Sequence, residues 1–166
     1  MYVRTGTPAF DELIPRISRF LEQNLLELNI DGEKIRGYRS PEARSIWIRH
    51  YSDMMRALRY TEADLISVVR HFADNQSRNG RIFDYFTAFP EKRPYERENW
   101  IKYVRIPVAA DTEFRFIKAA WLAWQATGDD AFIRNLMPTF ERALAYVMEE
   151  CYFDKEKYLF RRPYTI

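Results

Sequence analysis

The strongest constraint on this chain is a pair of helical patterns that meet at one glycine, in "DTEFRFIKAAWLAWQATGDDAFIRNLMPTFERALAYVMEE". Residues 111–127 read as one helix, Gly128 as its stop, and Asp129 or Asp130 as the cap of the next. In the second segment Phe132, Ile133, Leu136, Met137, Phe140, Leu144, Val147 and Met148 recur at three- and four-residue steps, which is one helix face. Pro138 is expected to divide it into a lead-in turn and a main helix. Two helices joined this tightly fold back on one another as an antiparallel hairpin.

The same argument applies upstream. From Pro8, the residues Phe10, Leu13, Ile14, Ile17, Phe20, Leu21 and Leu25 share a helix face, with Pro15 as a kink or a first turn. A loop with an Asp31-Gly32 turn follows. Residues 45–60 carry a second helix with Trp47, Tyr51, Met54, Met55 and Leu58 on its stripe, although "SIWI" also suits an extended lead-in. "TEAD", Thr61 to Asp64, resembles a capping box and opens a third helix running to about Gln76, with Leu65, Val68, Val69 and Phe72 inward. Residues 77–110 read as a long irregular segment with an Asn-Gly turn signal and then a β-prone run in "NGRIFDYFTAF", and residues after Cys151 as a strand, a turn at Asp154–Lys157 and a second strand.

Two hairpins in succession, each followed by an excursion, suggest a helical array or toroid. With 5 glycines in 166 residues the chain lacks the turn density of a β-rich fold, which favours this all-α reading. At this length it forms one domain, 1–166. The 26 basic and 24 acidic residues are dispersed, which argues against nucleic acid. No apolar run is long enough for a membrane span. "MYVRTGTPAFDEL" lacks the apolar region of a signal peptide, and Cys151 stands alone, so a cytoplasmic protein is expected.

The chemistry-bearing residues are acids, arginines and aromatics. Glycine-rich phosphate loops are missing, and one cysteine with two distant histidines, His50 and His71, makes no zinc site; neither metal nor cofactor is expected. Three groups remain: Trp47, Arg49, His50 and Asp53 in "IWIRHYSD"; Asp84 in "RIFDYF"; and Asp111 with Glu113 ahead of the 111–127 helix. Each has a structural alternative. Asp53 suits a first helical turn, Asp84 a turn or strand edge, and Asp111 an N-cap with Glu113 favoured by the dipole. In an array, however, helices in equivalent places send their amino ends to one mouth. Carboxylates there would hold sugar hydroxyls, and aromatic rings would cover the C–H face of a pyranose.

"GYRSPEARSIWIRHYSDMMRALRY", "NGRIFDYFTAF" and "PVAADTEFRFIKAAWLAWQATGDDAFIRNLMPTFERALAY" together resemble the six-hairpin, (α/α)6-toroid glycosidases over most of residues 37–166. The resemblance implies an antiparallel helical-hairpin fold with short β-hairpin excursions, of which this chain would be the N-terminal part. It also implies a glycoside or oligosaccharide ligand and inverting hydrolysis by two carboxyl groups about 6.5–9.5 Å apart. Trp47, Arg49, His50, Asp53, Asp84, Asp111 and Glu113 would face the ligand. His50 departs from the family's Trp-x-Arg-Asp pattern, which puts one sugar contact in doubt. The main acid and base are expected beyond Ile166, leaving Asp111 and Glu113 as the candidates within the chain. The alternative is a non-catalytic helical domain that binds carbohydrate or protein. A second copy, or the remainder of the ring, is then the expected partner.

Overall fold

The computed structural model describes residues 4–30, 32–41, 45–89, 100–106, 109–149 and 153–160. Helices α1 (Pro8–Asp11) and α2 (Leu13–Asn24) lead into a hairpin of β1 (Leu25–Ile30) and β2 (Glu33–Tyr38). The short β3 (Ile46–Trp47) precedes α3 (Ile48–Leu58) and α4 (Ser67–Asp74), then β4 (Tyr85–Phe89) and β5 (Trp100–Val104). Helices α5 (Thr112–Thr127) and α6 (Asp130–Val147) follow, and β6 (Phe153–Asp154) with β7 (Leu159–Phe160) closes the described chain.

The expectation of an all-α partial (α/α)6 toroid is therefore corrected. Among the described residues the chain is mixed α/β, with seven strands in three small antiparallel sheets: β1-β2, β3-β4-β5 and β6-β7. Strands β1, β2 and β5 form where the sequence reading placed a helix end and loop, whereas β6 and β7 fall in the strand–turn–strand run expected after Cys151. Leu25, assigned by spacing to the first helix face, leaves the helix at φ −68, ψ 133. It pairs with Tyr38 at the open end of the first hairpin. Leu28 and Ile35 face each other in that ladder, so cross-strand packing rewards the extended form of a segment whose helical spacing was only partial. Within 77–110, β4 pairs with both β3 and β5, so this stretch contains two strands of a sheet.

Helix boundaries shift for local reasons. Thr61 does not cap the third helix: its hydroxyl turns back to the Leu58 carbonyl at 3.5 Å. Asp64 accepts from the Ile66 and Ser67 amides at 3.1 and 2.9 Å in the turn just ahead of the helix, and α4 begins at Ser67, six residues after Thr61, with no side-chain bond from its N-cap Ile66. Pro138 does not divide α6, which runs unbroken from Asp130 to Val147. Leu136, Thr139, Phe140 and Ala143 are all buried around it, and that packing holds the helix through the lost hydrogen bond. Gly128 sits at φ +68 and ends α5, and Asp129 caps α6 by accepting from the Phe132 amide at 2.9 Å.

The core runs between these elements. Tyr51, Met55 and Leu58 of α3, Val68 and Val69 of α4, and Phe116, Ala119 and Ala123 of α5 are fully or almost fully buried in one cluster with Ile46 and Phe86. Alanines on α5 let α3 approach closely. Helices α3 and α5 run parallel: Arg49 meets Asp111 and, four residues further along both helices, Asp53 meets Arg115. Their amino ends therefore lie side by side. Cys151 and the run after Phe160 lie outside the described residues.

Candidate functional site

The shared amino end of α3 and α5 is built by the strand that precedes α3. Trp47 is the last residue of β3 and sits opposite Tyr85 of β4, while Ile46 sits opposite Phe86. Strand alternation sends Ile46 and Phe86 inward to zero exposure and turns Trp47 and Tyr85 outward, half-buried. The two outward rings lie 4.2 Å apart between centroids, and the exposed His50 ring is 5.7 Å from Trp47. Two residues beyond this aromatic surface, Arg49 projects from the first turn of α3.

Arg49 grips Asp111 with both terminal nitrogens. Nη1 donates to Oδ2 at 2.9 Å, and Nη2 donates to Oδ1. Such a bidentate pair is directional as well as charged. Arg115, one turn further along α5, donates from Nε to Asp111 Oδ2 at 3.0 Å and from Nη1 to Asp53 Oδ1 at 2.7 Å. Lys118 adds a 2.6 Å bond to the same Asp53 oxygen. The chain of charges Arg49–Asp111–Arg115–Asp53–Lys118 thus crosses from one helix to the other and carries one surplus positive charge. The hydrogen bond from Lys118, with Arg115 beside it, holds the Asp53 carboxyl below the usual carboxylate range. Asp111 occupies the N-cap position of α5, yet its side chain makes no capping bond, because both oxygens are turned to the arginines.

Asp84 and Glu113 stand elsewhere. Glu113 is at zero exposure and Asp84 at 5%, both in a polar knot around Arg105. Arg105 Nη1 and Nη2 each reach a Glu113 oxygen at 3.1 Å, and Nε lies 3.8 Å from Asp84 Oδ2. Arg105 also donates to the Ile82 and Ala109 carbonyls at 3.0 and 3.1 Å. Asp84 accepts from the Thr112 hydroxyl at 2.5 Å and the Ile106 amide at 2.6 Å, and Glu113 accepts from the Ile82 amide at 3.1 Å. The seven expected ligand-facing residues therefore separate into two sets. Trp47, Arg49, His50, Asp53 and Asp111 share the outer end of α3 and α5, whereas Asp84 and Glu113 lie beneath it. The knot anchors the outer set, since the Ile48 amide at the head of α3 donates to the Asp84 carbonyl at 2.9 Å.

Four participants escaped the sequence reading. Arg115 and Lys118 were legible in principle, at four and seven residues after Asp111 on one helix. Tyr85 needed the β3–β4 register, and Arg105 needed the tertiary fold. Among the described residues no group of three His, Cys, Asp or Glu side chains gathers as metal ligands do, and no helix is long and apolar enough to cross a membrane. Comparison with protein-family models, with curated proteins and with solved structures found no match to this chain.

Proposed function

We propose that this is a glycoside hydrolase-like protein that engages an oligosaccharide at the shared amino end of α3 and α5. The observation that carries the reading is the juxtaposition of the Trp47–Tyr85 aromatic surface with the bidentate Arg49–Asp111 pair. A pyranose offers an apolar C–H face and a rim of vicinal hydroxyls. The rings match the first, and a carboxylate–guanidinium pair offers acceptors and donors for the second. The reading rests on this site and on the motifs quoted above. It does not rest on a toroid, which the mixed α/β fold replaces.

Acid/base hydrolysis needs one carboxyl group held protonated and a second held ionised. Asp53 is biased toward ionisation by Lys118 and Arg115, and Glu113 is enclosed by Arg105 and the Ile82 amide. These groups suit binding and support, so the proposal assigns ligand contact to Trp47, Arg49, His50, Asp53 and Asp111 and assigns hydrolysis to no described carboxylate. A lone cysteine is in keeping with a reducing compartment, and a cytoplasmic setting belongs to the proposal.

Isothermal titration with a panel of neutral and acidic oligosaccharides tests it. Saturable heat that disappears in Trp47→Ala and in Arg49→Ala is the expected result. Absence of binding across the panel, or binding indifferent to both substitutions, would defeat it. The second reading, a non-catalytic interaction domain, is favoured by large exposed apolar side chains on α5 and α6: Trp121 at 46%, Met137 at 49% and Leu144 at 42%.

A further inference from the structure

Helices α1 and α2 form one rod in practice. The Glu12 amide donates to the Pro8 carbonyl at 3.0 Å and the Arg16 amide to the Glu12 carbonyl at 3.1 Å, and Glu12 itself has helical angles of φ −80 and ψ −16. The interruption between them is the hydrogen bond that Pro15, lacking an N–H, cannot give. Along this rod Phe10, Leu13, Ile17 and Phe20 follow one another at steps of three, four and three, which is the seam spacing of packed helices. All four are exposed, at 63%, 48%, 41% and 45%. A stripe with seam spacing is what another helix covers.

The stripe is a palindrome in both spacing and chemistry: aromatic, aliphatic, aliphatic, aromatic. Reversing the segment about Pro15 lays Phe10 on Phe20 and Leu13 on Ile17. That is the self-complementarity an isologous two-fold contact requires, where residue i meets j and j meets i. The charges agree. On the flank of the stripe Glu12 and Arg16 form an ion pair within the chain. In the reversed register each Arg16 falls within two residues, about 3 Å of helix rise, of the other copy's Glu12. The resulting four-charge cluster is neutral overall, and each of its acids has a basic neighbour. Beside the stripe a groove of about 380 Å³, lined by Ile14, Ile17, Ala57 and Tyr60 among others, continues the apolar surface from α2 onto α3.

We infer that α1 and α2 form the seam of an antiparallel homodimer, with its two-fold axis at Pro15. This surface adjoins the carboxyl end of α3, away from the Arg49–Asp111 end, so the inference stands or falls independently of the glycan reading.

Sedimentation equilibrium across micromolar to sub-millimolar concentrations is the experiment. A concentration-dependent dimer is expected in the wild type. Leu13→Asp and Ile17→Asp should each weaken it by about 30-fold or more, the loss typical of a central anchor, with an unchanged circular dichroism spectrum because both side chains are exposed. Register is tested in a Cys151→Ser background. Phe10→Cys chains mixed with Phe20→Cys chains should form the mixed disulfide under mild oxidation in preference to either self-disulfide. A monomer throughout the range would overturn the inference and assign the stripe to some other chain. A dimer indifferent to both aspartate substitutions, or cross-linking mainly as self-disulfides, would overturn it equally.

Discussion

Asp111 stands at a helix start where its carboxylate could satisfy its own amides, and it is held by two arginines instead. The cause is geometric. A bidentate guanidinium in front and a second one a turn behind offer more charge-assisted bonds than one first-turn amide. Asp111→Asn is therefore expected to leave thermal stability almost unchanged, since exposed ion pairs contribute about 0–1 kcal/mol, while abolishing oligosaccharide binding. A melting curve paired with a titration separates the two effects, and a large drop in melting temperature would mean that Asp111 stabilises its helix after all. Glu62 offers the contrasting case of a carboxylate that serves stability. Its side chain is 4% exposed and accepts from Arg36 Nε at 3.0 and 3.1 Å, from the Ala63 amide at 2.8 Å, and from the Tyr38 hydroxyl. Burial pushes its pKa up, but the bonds from Tyr38, the Asp64 amide and Arg36 outweigh that and leave it below its ordinary value. A lowered folded pKa contributes stability above the unfolded pKa, and that stability is lost as pH falls through the folded value. Glu62→Gln should thus destabilise the protein in urea titrations at pH 7. The difference from wild type should shrink steadily as pH is lowered through the carboxylate range.

Among elements, two glycines make different demands although both have positive φ. Gly128, at φ +68, ends α5 in open space, with no atom within 4 Å of where a Cβ would stand. Gly80, at φ +91, is pressed against α6, and a Cβ there would lie 2.0 Å from the Arg142 carbonyl oxygen. Gly128→Ala should cost only the left-handed backbone penalty, about 1–2 kcal/mol. Gly80→Ala should cost more, because the loop must also move off the helix. Chemical denaturation of the two variants makes the comparison, and equal losses would show that the Gly80 contact yields freely. Asp129→Ala should remove the α6 cap at about 1 kcal/mol. The sequence located the α5–α6 hairpin well because its signals are local: a glycine stop, an aspartate cap and two apolar stripes. It failed at Pro138 because the helix there is held by neighbours distant in sequence. It failed at β1, β2 and β5, and found β4 only as an unpaired β-prone run, because strand pairing is a property of two segments and neither segment announces its partner.

For the molecule as a whole, the Arg105 knot joins the β3–β4–β5 sheet, the Ala109 carbonyl and the head of α5. Its charges are almost wholly buried: Arg105 and Asp84 have side chains 7% exposed and Glu113 none. Glu113→Ala would leave Arg105 short of a partner in the interior and is expected to cost about 3–5 kcal/mol in a urea titration, against less than about 1 kcal/mol for Asp53→Ala at the surface. Comparable values for the two would mean that water reaches the knot. The sequence by itself determined where most helices lie, that α5 and α6 turn back on each other, and that acids and arginines gather near two helix starts. Those features arise from spacings of three and four residues and from single capping groups, which act within one turn. Only the tertiary structure decided that the fold is mixed α/β. It also decided that Asp111 faces out with Arg49 while Glu113, two residues later, faces in with Arg105. The last distinction follows from helical rotation: two residues turn a side chain by about 200°, and which side is interior depends on what the rest of the chain packs there.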